Sequence, residues 1–387
     1  MFTVNYNSIY LDNAATSFPK PKSVIDAVTY ALLHGANPGR AGHKMAIECA
    51  ENIFNTRESI KNLIKADKSK KIAFTKNCTE ALNILIFGSL KDGDHVITSV
   101  LEHNSILRPL EYLKNTRNIS VSYVSPKDEN SHVTWEDIEP FLQKNTKMIA
   151  LSRASNLSGV VLNAEKIGRN KPENVLFLLD VAQSLGHLEM DVEKFGVDLL
   201  AAAGHKGLLG PMGTGFLYVR DENLTDAFMM GGTGSKSTSF IHPNIIPDKY
   251  EAGTLNYHGI LGLNAGIEEI NRIGISNIKD HIYGLSRHFK AELKKLNGVR
   301  IIAPDIVSSN VCINIGDMDS GLVSYLLDDK YNIYTRSQIH CAPKAHEFYN
   351  TLDQGLIRFG IGFYNTLEEI DRTLYAIDEI RKENGIY

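Results

Sequence analysis

Apolar residues fall along this chain in two rhythms. From about residue 70, short β-rich runs recur: KIAFT (71–75), HVITSV (95–100), ISVSYVS (119–125), KMIALS (147–152), NVLFLLD (174–180), DLLAAAG (198–204) and GFLYVR (215–220). Helical or loop segments separate most of them, and that alternation predicts a largely parallel sheet with helices on both faces. Ahead of the sheet, residues 45–66 carry Ala46, Ala50, Ile53, Phe54, Ile60, Leu63 and Ile64 at helical spacing. Beyond about residue 258 the texture changes. Helical segments at 258–273 and 277–297 precede strands near 299–303, 310–316 and 331–335, and a last helix runs from about 366 to 383. The pattern predicts an α/β protein, with a large domain over residues 15–257 and a smaller α+β domain formed by 1–14 and 258–387.

Composition narrows the function classes. A chain of 387 residues is long for one simple core. With 43% hydrophobic and 22% charged residues it is an ordinary globular sequence. A net charge of −4, with scattered Lys and Arg, gives no reason to expect nucleic acid. No apolar run approaches the roughly 20 residues of a membrane helix, and the N-terminus lacks a basic start and an apolar signal core. Four scattered cysteines (Cys49, Cys78, Cys312, Cys341) make neither a disulfide framework nor a Cys-x-x-Cys metal site. The expectation is a cytoplasmic protein with reduced thiols.

In such sheets ligands bind beyond the carboxyl ends of the strands, so the residues just past each run carry the functional question. NVLFLLD closes on Asp180, with Gln183 close behind in DVAQS. HVITSV is followed by Leu101-Glu102-His103-Asn104. KIAFT is followed by Lys76-Asn77-Cys78-Thr79-Glu80, where Asn77 and Glu80 have capping-box spacing at the start of a helix whose free N–H groups suit a phosphate. DLLAAAG runs into His205 and Lys206 over the glycine-rich turn GHKGLLGPMGTG. Each feature alone has an ordinary structural explanation: a solvated turn lysine, a capping carboxylate, a satisfied histidine. Together they describe a pyridoxal-phosphate site, which needs a nucleophilic lysine, a carboxylate against the pyridinium nitrogen and an anion hole. The glycines fit neither the phosphate-loop string nor the Gly-x-Gly-x-x-Gly fingerprint.

Ordered motifs over nearly the whole chain then resemble one family. YLDNAAT (10–16), NPGRAGH (37–43), NCTEALN (77–83), LEHNS (101–105), ASNLSG (154–159), DVAQS (180–184), GHKGLLGP (204–211), EAGTLN (251–256), RSQIHCAP (336–343) and LIRFGIGFYNT (356–366) are similar to those of fold-type I pyridoxal-phosphate enzymes of aminotransferase class V, specifically cysteine desulfurases and selenocysteine lyases. The resemblance implies Lys206 as the cofactor lysine, Asp180 on the ring nitrogen and His103 stacked over the ring. It places Gln183 and Asn156 near the ring hydroxyl, and Thr79, the Cys78 backbone and His205 at the phosphate. Thr254 would reach the phosphate of a partner subunit, which implies a homodimer.

The loop Arg336-Ser337-Gln338-Ile339-His340-Cys341-Ala342-Pro343 offers a thiol beside a histidine and near an arginine, a cationic setting that favours thiolate. A buried inert cysteine is the competing reading; a metal site from His340, Cys341 and His346 lacks a fourth partner. The resemblance makes Cys341 the sulfur acceptor, and Arg358 the grip on the substrate carboxylate, with Arg336 and Asn156 also at the substrate. It implies that L-cysteine yields L-alanine and a Cys341 persulfide, with Lys206 moving the Cα proton and His103 serving the substrate thiol. A sulfur-acceptor protein would follow. Selenocysteine lyase, another class V aminotransferase or C–S lyase, and a non-catalytic sulfur-relay protein are the alternatives. Four residues depart from the family pattern. Ala203 stands where a phosphate-binding Ser or Thr is usual, Gln338 replaces a glycine, and Ser152-Arg153 stands where Thr-His is commoner.

Overall fold

The computed structural model describes residues 8–38 and 41–386. Gly39 and Arg40 of the NPGRAGH motif, and residues 1–7 of the expected small domain, lie outside them. Twelve strands are described: β1 (Ile9–Tyr10), β2 (Ile72–Thr75), β3 (His95–Ser99), β4 (Ser120–Val124), β5 (Thr146–Ser152), β6 (Leu176–Asp180), β7 (Leu199–Ala203), β8 (Gly215–Val219), β9 (Val299–Ile301), β10 (Asn310–Ile315), β11 (Ile333–Tyr334) and β12 (Ile357–Gly360). All seven runs expected between residues 71 and 220 form strands, and they make one sheet in the order β2-β8-β7-β6-β5-β3-β4. β8 runs antiparallel to both neighbours. The remaining pairs are parallel.

Both faces of this sheet are covered, and the side-chain period of two divides each strand between two cores. In β7, Leu200 and Ala202 join the core that holds Ile53 and Ile60 of helix Lys44–Ile64. Leu199, Ala201 and Ala203 face the core that holds Leu82 and Leu85 of helix Cys78–Ser89 and Ile106 and Leu110 of helix Asn104–Thr116. A strand buried on both faces reads as an unbroken apolar run, which is why LLAAA shows no alternation.

A three-stranded antiparallel sheet, β12-β10-β9, holds the C-terminal part together. Helices Ile275–Leu293 and Leu367–Glu383 pack on each other beside it. The N-terminal segment joins this part: β1 pairs in parallel with β11, and Asp12 bridges to Gly360. Helix Tyr257–Ile273 instead lies against helices Lys22–His34 and Lys44–Ile64. β12 escaped the sequence reading because its four residues, IRFG, carry a buried arginine in place of an apolar side chain.

Candidate active site

β3, β5, β6 and β7 end at Ser99, Ser152, Asp180 and Ala203 on one edge of the large sheet. The turn after β7 is tight. Gly204 donates its N–H to Thr214 O (2.9 Å), and Gly204 and Lys206 accept from the N–H groups of Gly210 and Leu209, each at 2.9 Å. A Cβ on Gly204 would stand 2.2 Å from Thr214 Oγ1, so only glycine fits the crossing. This turn brings Lys206 over the strand ends.

Eight sequence-expected residues meet in one cleft: Cys78, Thr79, His103, Asn156, Asp180, Gln183, His205 and Lys206. Asp180 Oδ1 accepts the Ala182 N–H at 2.8 Å and the Cys78 thiol at 3.3 Å. Ser105 Oγ links the two sides of the cleft, 2.9 Å from Thr79 Oγ1 and 2.8 Å from His103 Nδ1. Gln183 donates to Ala14 O at 3.0 Å.

Helix Cys78–Ser89 opens on this cleft. Asn77 caps it through the Glu80 N–H at 2.8 Å, as its spacing predicts. The reciprocal half of the capping box does not form, because Glu80 Oε2 passes the cap and accepts from Lys76 N. The first-turn N–H groups of Cys78 and Thr79, at the cleft wall, are left for a ligand at the positive end of the helix. His205 Nδ1 and Asn156 Oδ1 are buried with no hydrogen-bond partner. A lysine, a carboxylate, an anion-binding helix start and two unpartnered polar atoms form a donor set that fits pyridoxal 5′-phosphate. Ala203, at the end of β7, adds no hydroxyl to that set.

Burial drives the electrostatics. It pushes the Lys206 amine below its usual range; Asp180 and Cys78 oppose this, and Arg358 and Arg336 add to it. It raises Asp180, against the Ala182 N–H and the Lys206 charge. His103 is lowered to about 4 by burial, then by Lys206, Arg336, Arg358 and Arg108. His205 is lowered to about 4 by burial, Lys206 and Lys20. Both imidazoles are therefore neutral near pH 7, and burial loosens the hold of Lys206 on its proton.

The remaining expected residues divide into two groups. Arg358, only 1% exposed, donates to Asn156 O at 3.0 Å and pairs with Asp12 Oδ1 at 3.1 Å. Arg336 bridges backbone to backbone with Arg358 and places a guanidinium nitrogen 3.6 Å from Cys341 Sγ. Asn156 donates to His340 O at 2.8 Å, and Cys341 O accepts from Asn104 N at 2.7 Å, directly after His103. The half-buried Cys341 loop is thus tied to the cleft from two sides. Gln338, His340 and Cys341 all take positive φ (76°, 52° and 57°), so the loop holds left-handed backbone without a glycine. Thr254 is the exception: exposed, it lines a separate cleft with Lys76, Gly213 and Met229.

Sequence reasoning missed several supporting groups. Glu102 is fully buried, accepting from Ser99 Oγ, Ser152 N and Ser152 Oγ at 2.6, 2.8 and 2.6 Å. Its signal was an acid directly after an apolar strand, overshadowed by His103. Asp12 and Ser105 lay inside quoted motifs without roles, since a long-range partner leaves no local pattern. Among the described residues no group of three His, Cys, Asp or Glu side chains is disposed to hold a metal ion.

Residues 9–373 match the aminotransferase class-V family. A probable cysteine desulfurase of Methanothermobacter thermautotrophicus is 35% identical, over 96% of this chain and 94% of the relative. A cysteine desulfurase of Serratia proteamaculans is 30% identical, over 97% of this chain and 94% of the relative. The apo structure of a cysteine desulfurase from Thermococcus onnurineus superposes with a TM-score of 0.89 at 32% identity, covering 97% of this chain and 95% of that one. A cysteine desulfurase from Escherichia coli, solved in an S-sulfonic acid form, gives 0.87 at 25% identity, covering 98% of this chain and 96% of that one.

Proposed function

The chain belongs to the aminotransferase class-V family, and from that premise we propose that it is a pyridoxal-phosphate-dependent cysteine desulfurase that converts L-cysteine to L-alanine and leaves the sulfur on Cys341. The observation that carries this reading is the tie between two sites. A cofactor cleft with Lys206 and Asp180 is joined by Asn156–His340 and Asn104–Cys341 contacts to a loop bearing a thiol beside Arg336. We take residues 15–257 as the unit that holds the cofactor, with helix Tyr257–Ile273 packed on its helices Lys22–His34 and Lys44–Ile64, and 1–14 with 258–387 as the stretch that brings Cys341 and Arg358 to it.

Lys206 and Asp180 would hold the cofactor at its aldehyde and ring-nitrogen ends, with Thr79, the Cys78 backbone and His205 at its phosphate and His103 against its ring. Gln183 and Asn156 would serve the ring hydroxyl. When bound, pyridoxal 5′-phosphate supplies an electron sink that eases loss of a proton from the substrate Cα. The protein does the rest. Arg358 offers its planar guanidinium to the substrate carboxylate, with Asn156 and Arg336 alongside. The Lys206 amine takes the Cα proton. Neutral His103 takes the proton of the substrate thiol. Cys341 thiolate attacks the substrate sulfur, so the S–S bond forms as the Cβ–S bond breaks. Cβ takes up a proton, Lys206 gives the Cα proton back, alanine leaves, and the sulfur stays as a persulfide.

Further parts of the reading concern partners. Thr254, exposed and away from this chain's own cleft, suits reaching a second subunit's phosphate in a homodimer. The half-exposed thiol suits delivery of sulfur to an acceptor protein. Among the described residues no helix is long and apolar enough to cross a membrane, and we place the protein in the cytoplasm. Selenocysteine cleavage is the second reading, because it uses the same cleft and needs Cys341 less. Product analysis with cysteine, selenocysteine and cystine, with and without reductant, tests the proposal. Alanine and sulfide in equal amounts from cysteine support it, and selenide formation without sulfide would replace it by the second reading.

A further inference from the structure

The carbonyl oxygen of His205, one peptide before Lys206, is reached by four donors from one N-terminal segment. Ser17 donates its N–H at 3.0 Å. Thr16 and Ser17 donate hydroxyls at 3.1 and 3.2 Å. Lys20 donates from its ammonium at 2.8 Å and also reaches Ser17 Oγ at 2.7 Å. The neighbouring carbonyls of Gly204 and Lys206 are satisfied from within the turn, by Gly210 and Leu209. That of His205 is held from outside it.

A carbonyl oxygen has two lone pairs, so four donors exceed what satisfaction requires. The charged donor forms the strongest of these bonds. Lys20 is half-buried, and burial lowers its amine to about 8. Its ammonium bonds to a carbonyl and a hydroxyl, and among the described residues no carboxylate pairs with it to offset the burial of charge. A neutral side chain could satisfy the same carbonyl at smaller desolvation cost. The segment is also pinned further back, where Asp12 meets Arg358 and Ala14 O accepts from Gln183. It therefore runs as one strap from the arginine offered to the substrate carboxylate to the peptide that carries the nucleophilic amine.

We infer that Lys20 is a positioning residue for Lys206: its ammonium fixes the His205–Lys206 peptide, and with it the point from which the Lys206 amine reaches the substrate. The kinetic side of this inference rests on the desulfurase reading; the clamp on the peptide does not.

The test uses cofactor-loaded wild type, Lys20→Met, Lys20→Arg and Ser17→Ala, with two readouts. Steady-state kinetics with cysteine should show kcat about tenfold lower in Lys20→Met, the loss of one charge-assisted bond, with KM changed less than about twofold. Hydrogen–deuterium exchange should be about tenfold faster at amides of residues 204–209 in the same variant, and unchanged in distant strands. Lys20→Arg, which keeps the charge, should recover most of both. Ser17→Ala, which removes a neutral donor from the same carbonyl, should give smaller changes in the same direction, and it carries the test if Lys20→Met does not fold. Wild-type kcat and exchange in Lys20→Met, or failure of Lys20→Arg to recover either, overturns the inference. A wild-type enzyme inactive on cysteine would refute the proposed function, while the exchange readout still decides the clamp.

Discussion

The thiol of Cys78 lies 3.3 Å from Oδ1 of Asp180, the same oxygen that accepts the Ala182 N–H. Both donors act on one oxygen, which orients the carboxylate and leaves Oδ2 for the cleft. Asp180→Asn keeps an acceptor for these donors but loses the charge that would keep a ring nitrogen protonated. Removing one preorganised electrostatic group from a site costs about a hundredfold or more. We expect kcat/KM for cysteine to fall by at least that much, with the fold unchanged by circular dichroism. A variant within a few-fold of wild type would show that Asp180 does not face the ring nitrogen.

Lys206 is expected to be the one covalent attachment point of the cofactor. Borohydride treatment of the wild-type protein should bleach its yellow colour and fix the cofactor to a peptide containing Lys206, identified by mass spectrometry. Lys206→Ala should bind the cofactor without such fixation. A cofactor retained on another lysine after reduction would remove Lys206 from its assigned place, and a colourless wild type would favour a non-catalytic relay protein.

Much of this site is legible in the sequence alone, and the reason is local. Asp180 closes a strong strand run, and His103, Lys206 and the Asn77 cap each follow one within four residues, so naming the strands located them on one sheet edge. The strand boundaries agree to within two residues because most of the runs are buried on both faces, the half-buried edge strand β4 being the exception. What escaped is held by distant partners. Asp12 meets Arg358 across 346 residues, Lys20 meets His205 across 185, and the Glu102 carboxylate joins β3 to β5. Such pairs carry no periodicity. The capping box failed for a related reason: spacing put Glu80 within reach of two N–H groups, and only the folded chain selects Lys76.

The Arg336–Cys341 contact of 3.6 Å makes a separable prediction about sulfur and selenium. Cys341→Ala should abolish persulfide formation from cysteine, because no other cysteine of the chain stands in that loop. Selenocysteine cleavage should persist in large part, since selenide is a better leaving group and needs the thiolate less. Assaying alanine from both substrates checks this. Equal loss of both activities would contradict the split and place Cys341 in the shared, earlier steps.

Glu102 provides a pH prediction. Burial pushes its carboxyl from the usual 4.5 up to about 7, opposed by the Ser152 and Ser99 hydroxyls and increased by Asp180. The folded state therefore holds this proton more tightly than the unfolded chain. The stabilisation that follows is full below pH 4.5 and is lost as pH rises through about 7. Glu102→Gln retains groups for Ser99 and Ser152 but cannot titrate. Urea unfolding of wild type and variant in the same cofactor state, from pH 4.5 to 8, should show wild type losing about 3 kcal/mol relative to the variant across that window. Parallel curves would mean that Glu102 is already ionised at low pH in the folded protein, its charge compensated by the serine hydroxyls and the Ser152 N–H.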